Sequence, residues 1–187
     1  MYMIKTITSQ SHQSPNSFLR SIIILIVTIF SSNLQAQNYI YIGTNRYPST
    51  NSFDCTIVGG FPELGNATIA VAKSSKGGYF ILSVDTHHPL KGDVYIYLDN
   101  GEVIRCVDTK TKDMHDGYSI GIYNLTFQEI EKLKKSNISS VRASCWMYSS
   151  SMFSFTVQSF YYMETLYGDK LKMHNTTAED IRKLMMY

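Results

Sequence analysis

The chain has 187 residues, 17 Lys+Arg against 15 Asp+Glu, and is 44% hydrophobic and 13% aromatic. Lys5 and Arg20 are the only charged side chains before Arg46, so beyond residue 36 the chain carries 15 basic and 15 acidic residues. That neutrality argues against nucleic acid or an anionic membrane surface as a partner, because both need a basic face that displaces counterions.

The run Ile22–Phe30 behind Arg20, followed by polar Ser31, Ser32 and Asn33 and by small Ala36, reads as a secretory signal over residues 1–36. It is about half the roughly 20 apolar residues of a spanning helix. The membrane is therefore expected to be crossed during export and not resided in, with the product periplasmic or secreted; tethering through an uncleaved signal is the alternative. Removing 36 of 187 residues leaves 151, the size of one ordinary domain.

Residues 37–66, rich in Asn, Ser, Thr, Pro and Gly, read as a loop-rich segment with one or two edge strands. Residues 67–187 read as a β-rich domain continuous with it. Runs of β-branched and aromatic residues predict strands at Ala67–Ala72, Tyr79–Val84, Val94–Leu98, Val103–Val107 and Ser119–Tyr123, at spacings that favour antiparallel neighbours. Asn100-Gly101 suits a two-residue primed turn, which would set Leu98 opposite Val103 and Asp99 opposite Glu102. Val94, Ile96, Leu98, Val103 and Val107 would then share one face with Arg105, and Tyr95, Tyr97, Ile104 and Cys106 the other. Two largely apolar faces imply a strand pair covered on both sides, as at the centre of a sandwich.

Leu125-Thr126-Phe127-Gln128-Glu129-Ile130 opens a helix with a capping box: Thr126 caps, Glu129 reaches back, and Leu125 staples onto Ile130. Phe127, Ile130 and Leu133 form its apolar stripe, and Lys132, Lys134 and Lys135 suit its C-terminal dipole. Ile138–Met147 is predicted as a strand with Val141, Ala143, Cys145 and Met147 on one face and Arg142, Ser144, Trp146 and Tyr148 on the other. Phe153, Phe155 and Val157 alternate toward a core, and a short C-terminal helix docks through Ile181, Leu184 and Met185. The expected fold is mainly β: an antiparallel β-sandwich or curved sheet of about seven or eight strands with one inserted and one C-terminal helix, with α+β as the alternative.

The succession VYIYLDNGEVIRCVD, IGIYNLTFQEIEKLKKSNISSVR and a further strand, spanning about residues 93–147, resembles a group of exported, uncharacterised bacterial domains that pair such a hairpin with a Leu-Thr-x-x-Glu-Ile-x-x-Leu helix and an Asn-Ile-x-x-Val/Ile-Arg strand. The ending LQAQ is similar to signals of the Bacteroidetes type. The resemblance implies fold and export, and it brings no catalytic residues with it.

Several residue groups are candidates for chemistry. His87, His88, Asp113, His115 and Asp116, with Asp85 and Asp108 nearby in sequence, carry the ligand types of a divalent-metal site, although their order lacks the Gly and bidentate Glu of a calcium loop. Cys55, Cys106 and Cys145 allow one disulfide in an oxidising compartment or three free buried thiols. No Gly-x-Ser-x-Gly or phosphate-loop spacing occurs. Tyr95, Tyr97, Trp146 and Tyr148 stand out as amphipathic aromatics able to stack on a glycan or fill a partner protein's pockets; otherwise they cover a sheet face. The leading expectation is an exported, non-catalytic binding or interaction module without a cofactor. A metal-dependent hydrolase using the His/Asp loops, and a periplasmic inhibitor or envelope structural protein, are the alternatives.

Overall fold

A computed structural model describes residues 38–59, 64–147 and 151–186, all within the compact unit Gln37–Tyr187. The signal assigned to residues 1–36 lies outside the described residues, as does Tyr148. No helix among the described residues is long and apolar enough to cross a membrane.

The fold is mainly β, a curled antiparallel sheet with one inserted and one C-terminal helix. The strands are β1 (Asn38–Ile42), β2 (Asn45–Ser49), β3 (Phe53–Val58), β4 (Ala67–Ser74), β5 (Gly77–Asp85), β6 (Val94–Leu98), β7 (Val103–Cys106), β8 (Lys112–His115), β9 (Tyr118–Leu125), β10 (Ile138–Met147), β11 (Ser151–Gln158), β12 (Phe160–Glu164) and β13 (Lys170–His174). The helices are α1 (Phe127–Lys135) and α2 (Thr177–Met186). The main sheet runs β7-β6-β10-β11-β3-β4-β5-β9-β8, with the β1–β2 hairpin joined at β4 and β12–β13 standing as a separate two-stranded ribbon.

Curling follows from connectivity. Laid flat, nine strands at about 4.8 Å each would put β7 and β8 roughly 38 Å apart. These two edges are consecutive in sequence, and the connection 107–111 spans at most about 20 Å. The sheet must bend until its edges approach, and the connection itself lies along β9: Ile122 N–H donates to Thr111 O at 3.1 Å and Thr109 Oγ1 donates to Ile122 O at 2.9 Å.

The inner face of the curl, closed by α1 and α2, holds the core, in which Phe80, Leu82, Val94, Ile96, Leu133, Cys145, Phe155 and Ile181 are buried. The capping box forms as the sequence predicts, with Glu129 N–H donating to Thr126 Oγ1 at 3.3 Å and Thr126 N–H donating to Glu129 Oε2 at 2.7 Å. Phe127 departs from its predicted place in the stripe and is exposed, so Ile130 and Leu133 alone anchor α1 in the core. Helix α2 docks through Ile181, Leu184 and partly buried Met185, tied to the start of β10 by Ile138 N–H donating to Thr177 Oγ1 at 2.8 Å.

The β6–β7 hairpin corrects the predicted register. Tyr97 pairs with Val103 and Tyr95 with Arg105, one residue out of the expected alignment. Gly101 N–H donates to Leu98 O at 2.9 Å and Gly101 has φ +85°, whereas Asn100 is not in the positive-φ region that a primed turn demands. The loop is therefore three residues long, a turn closed by a glycine bulge. A one-residue slip exchanges the faces of β7. Ile104 and Cys106 turn inward with Val94, Ile96 and Leu98, while Val103 and Arg105 join Tyr95 and Tyr97 outside. The pair is thus buried on one face and open on the other, and the doubly covered sandwich position is replaced by a strand pair of a single curved sheet.

One further expectation is revised, the strand count, and one open choice is decided, that of the cysteines. Residues 38–58 hold three strands, of which β3 lies inside the main sheet, and the described residues hold thirteen strands in place of seven or eight. All three cysteines are free and buried, so no disulfide forms among them. Cys106 on β7 and Cys145 on β10 are separated by β6, and Cys145 and Cys55 on β3 by β11. Two strand steps are roughly 10 Å, beyond the ~7 Å Cα separation a disulfide tolerates. Burial pushes the Cys55 and Cys106 thiols up to about 12 and raises that of Cys145, which keeps all three protonated.

Candidate functional site

The outer face of the sheet is divided into two halves with different fates. Over β4, β5 and β9 it is covered: Ile40 and Tyr47 of the β1–β2 hairpin pack on Ala70, Ala72 and Ile81, and the Tyr47 and Tyr79 rings meet edge to face at 5.0 Å. Over β6, β10 and β11 nothing among the described residues covers it.

Alternation dictates what this open half displays. Inward Val141, Ala143 and Cys145 on β10 leave Ser140, Arg142, Ser144 and Trp146 facing out, and inward Val94 and Ile96 on β6 leave Tyr95 and Tyr97. Antiparallel pairing lines these up in cross-strand rows. One row runs Val103, Tyr97, Ser140, Gln158, Thr56; the next runs Arg105, Tyr95, Arg142, Thr156, Val58. Beyond them Ser144 faces Ser154, their hydroxyls 2.9 Å apart, and Trp146 faces Met152.

A groove of about 340 Å³ lies in these rows, lined by Asp93, Tyr95, Tyr97, Arg142, Ser144 and Ser154. Tyr95 and Trp146 are each 36% exposed, enough to offer a ring face while the rest of the side chain stays packed. The segment ahead of β6 hydrogen-bonds along β10, with Trp146 N–H donating to Pro89 O and Lys91 N–H to Ser144 O. It thereby places the Lys91 ammonium 4.5 Å above the Trp146 ring.

One end of the groove is fixed by a charged clamp. Asp93 accepts from Arg105 Nε at 2.8 Å and from the Asp108 N–H at 2.9 Å. The Asp108 N–H and the Arg105 guanidinium hold the Asp93 carboxyl below its usual range. Partial burial acts to raise Asp108, but Lys112 Nζ at 2.7 Å and the N–H groups of Lys110 and Gly92 outweigh it and hold that carboxyl low as well.

The structure therefore brings Tyr95, Tyr97 and Trp146 to one face. The residues that the sequence reading had not assigned to a site are Asp93, Arg142, Ser144, Ser154 and Lys91. For Arg142 and Ser144 the signal was present, since the period of β10 already placed them beside Trp146. Asp93 and Lys91 depend on pairing between distant segments, which no local pattern announces.

The His/Asp group is dispersed. His88 is buried, while His87 is exposed near the Gly117 turn. His115 and Asp116 form an exposed pair at 3.1 Å, and the Asp113 carboxylate accepts from the neighbouring Met114 N–H. Among the described residues no three His, Cys, Asp or Glu side chains are grouped to hold a metal ion. A second cavity of about 300 Å³ lies at the base of the β12–β13 ribbon, with Asp54, His174 and Asp180 among its lining residues. Its polar groups are partly used in holding the chain together, as Asn175 Nδ2 donates to Asp54 O at 2.7 Å.

Comparison with known proteins returned no matching family model, no matching curated protein and no matching solved structure.

Proposed function

We propose that this chain is an exported, non-catalytic binding module whose ligand surface is the open outer face of β6, β10 and β11. The observation that carries the reading is a groove lined by Tyr95 and Tyr97 whose other walls are hydrogen-bonding side chains, with half-exposed Trp146 farther along the same face. Rigid amphipathic aromatics give large contact area at low entropic cost, and a few fixed polar groups orient what binds. The contrast with the other half of the same sheet supports this: the structure uses a hairpin to cover Ala70, Ala72 and Ile81 but leaves the tyrosine face open. The resemblance of residues 93–147 to exported bacterial domains fits a module that works outside the cytoplasm.

The ligand is a glycan or a partner protein. A glycan array and an extracellular-protein panel, probed with the protein as its host exports it, test the reading. Binding is expected to be lost in a Tyr95→Ala/Tyr97→Ala double variant that melts like the wild type. Absence of any binding at millimolar ligand, or binding indifferent to both tyrosines, would sink it.

A further inference from the structure

The described residues contain four arginines, and three of them are occupied. Arg46 lies 3.5 Å over the Tyr39 ring, Arg105 pairs with Asp93 at 2.6 Å, and Arg182 donates to Lys134 O at 2.8 Å. Arg142 is the exception: exposed in the middle of the groove, it forms no ion pair or hydrogen bond among the described residues. The residue stands between Tyr95 on β6 and Thr156 on β11, one row from the Ser144–Ser154 hydroxyl pair.

We infer that the groove binds an acidic glycan, a saccharide bearing a carboxylate, with Arg142 taking the carboxylate and the Tyr95 and Tyr97 rings taking the sugar faces. The inference rests on the binding-module reading and specifies its ligand. A guanidinium offers a planar fork that matches a carboxylate in two parallel hydrogen bonds, which a solvated lysine cannot do. Paired serine hydroxyls beside it both donate and accept, as sugar hydroxyls require. Charge count separates this ligand from a phosphorylated one. A phosphate near −2 calls for several free cations, whereas among the described residues the groove lining offers one guanidinium without an ion pair, Asp93 at its end keeps Arg105 neutralised, and the Lys91 ammonium sits on the Trp146 ring outside the lining. A single negative charge on a polyhydroxylated ring fits that balance.

The test measures binding of trigalacturonate and of its methyl ester, which has the same ring and no charge, to wild-type protein and to the Arg142→Gln and Arg142→Lys variants. Melting curves confirm that each variant is folded. The acid is expected to bind about tenfold more tightly than the ester, as a charge-assisted bidentate contact warrants. The preference should weaken with added salt, vanish in Arg142→Gln and return in part in Arg142→Lys. Equal binding of acid and ester, both lost in Tyr95→Ala, would overturn the acidic-glycan inference while leaving the binding module standing. Preference for an acidic peptide over both saccharides, or no saccharide binding at all, would also overturn it.

Discussion

Tyr123 shows how tightly single residues are set in this core. Its ring is 1% exposed and folds back over Gly121, where an added Cβ would come 2.8 Å from the ring and 2.9 Å from its hydroxyl. Gly121 is needed there because that space is already taken. The Tyr123 hydroxyl has no hydrogen-bond partner among the described residues, and burial raises its pKa. A buried hydroxyl without a partner costs about 1–3 kcal/mol of desolvation. Tyr123→Phe keeps the ring and removes the orphan group, so chemical denaturation should show it at least as stable as wild type, by up to about 1 kcal/mol. A loss of more than about 1 kcal/mol would mean that the hydroxyl is satisfied in solution.

Individual elements were legible in the sequence wherever one strong local rule governed them. The α1 start was readable because Thr126 and Glu129 satisfy each other over three residues, without help from the rest of the chain. Strand β10 was readable because from Val141 onward it alternates and its inward side is apolar, although a bulge between Ile138 and Ser140 breaks the period at its start. The β6–β7 turn was not: Asn100-Gly101 fits two loop lengths, and what decides between them is long-range. Asn100 N–H donates to Ser136 Oγ at 3.1 Å and Asp99 N–H to Asn137 O at 3.0 Å, both at the junction of α1 and β10. Tertiary contacts chose the longer loop, and with it the side of the sheet on which Arg105 and Val103 appear. The β12–β13 ribbon escaped the reading for a different reason. Phe160-Tyr161-Tyr162-Met163 does not alternate, and its partner strand Lys170–His174 is mostly polar. Its connecting turn holds Leu166 and Tyr167 almost fully in solvent, so no buried face imposed a pattern. For the site the division is the same: three aromatics could be named from strand period, while the groove lined by two of them, Tyr95 and Tyr97, needed pairing across β6, β10 and β11.

At the scale of the whole molecule, the fold is a sheet whose two edges are brought together, and the joining region is held by charge. Asp108 lies in the connection between β7 and β8, accepts from Gly92, Lys110 and Lys112, and donates its own N–H to Asp93. Both carboxyls are held below their usual range in the folded chain. Groups shifted in that direction stabilise the fold fully above the unfolded aspartate value of about 3.9 and lose that contribution as pH falls through the lower folded value. Thermal melting should therefore be insensitive to pH near neutrality and drop between about pH 5 and pH 2. Asp108→Asn should melt lower than wild type at pH 7 and show a shallower acid decline. A variant whose acid decline matches the wild type's would remove Asp108 from this account.

The clamp and the open face are neighbours, since Asp93 belongs to both. Closing the curl with a charged connection fixes one end of the groove, while the β1–β2 hairpin covers the opposite half of the outer sheet. The architecture thus leaves one ordered aromatic face free, and the proposal is that ligand binds there. Backbone-amide chemical-shift mapping, with the protein titrated by the strongest ligand from the glycan array, tests this most directly. Perturbations are expected to centre on Tyr95, Tyr97, Arg142 and Ser144, with little change in β4, β5 or β9. Perturbations centred instead on the Leu166–Tyr167 turn, or on the cavity around Asp54 and His174, would contradict it.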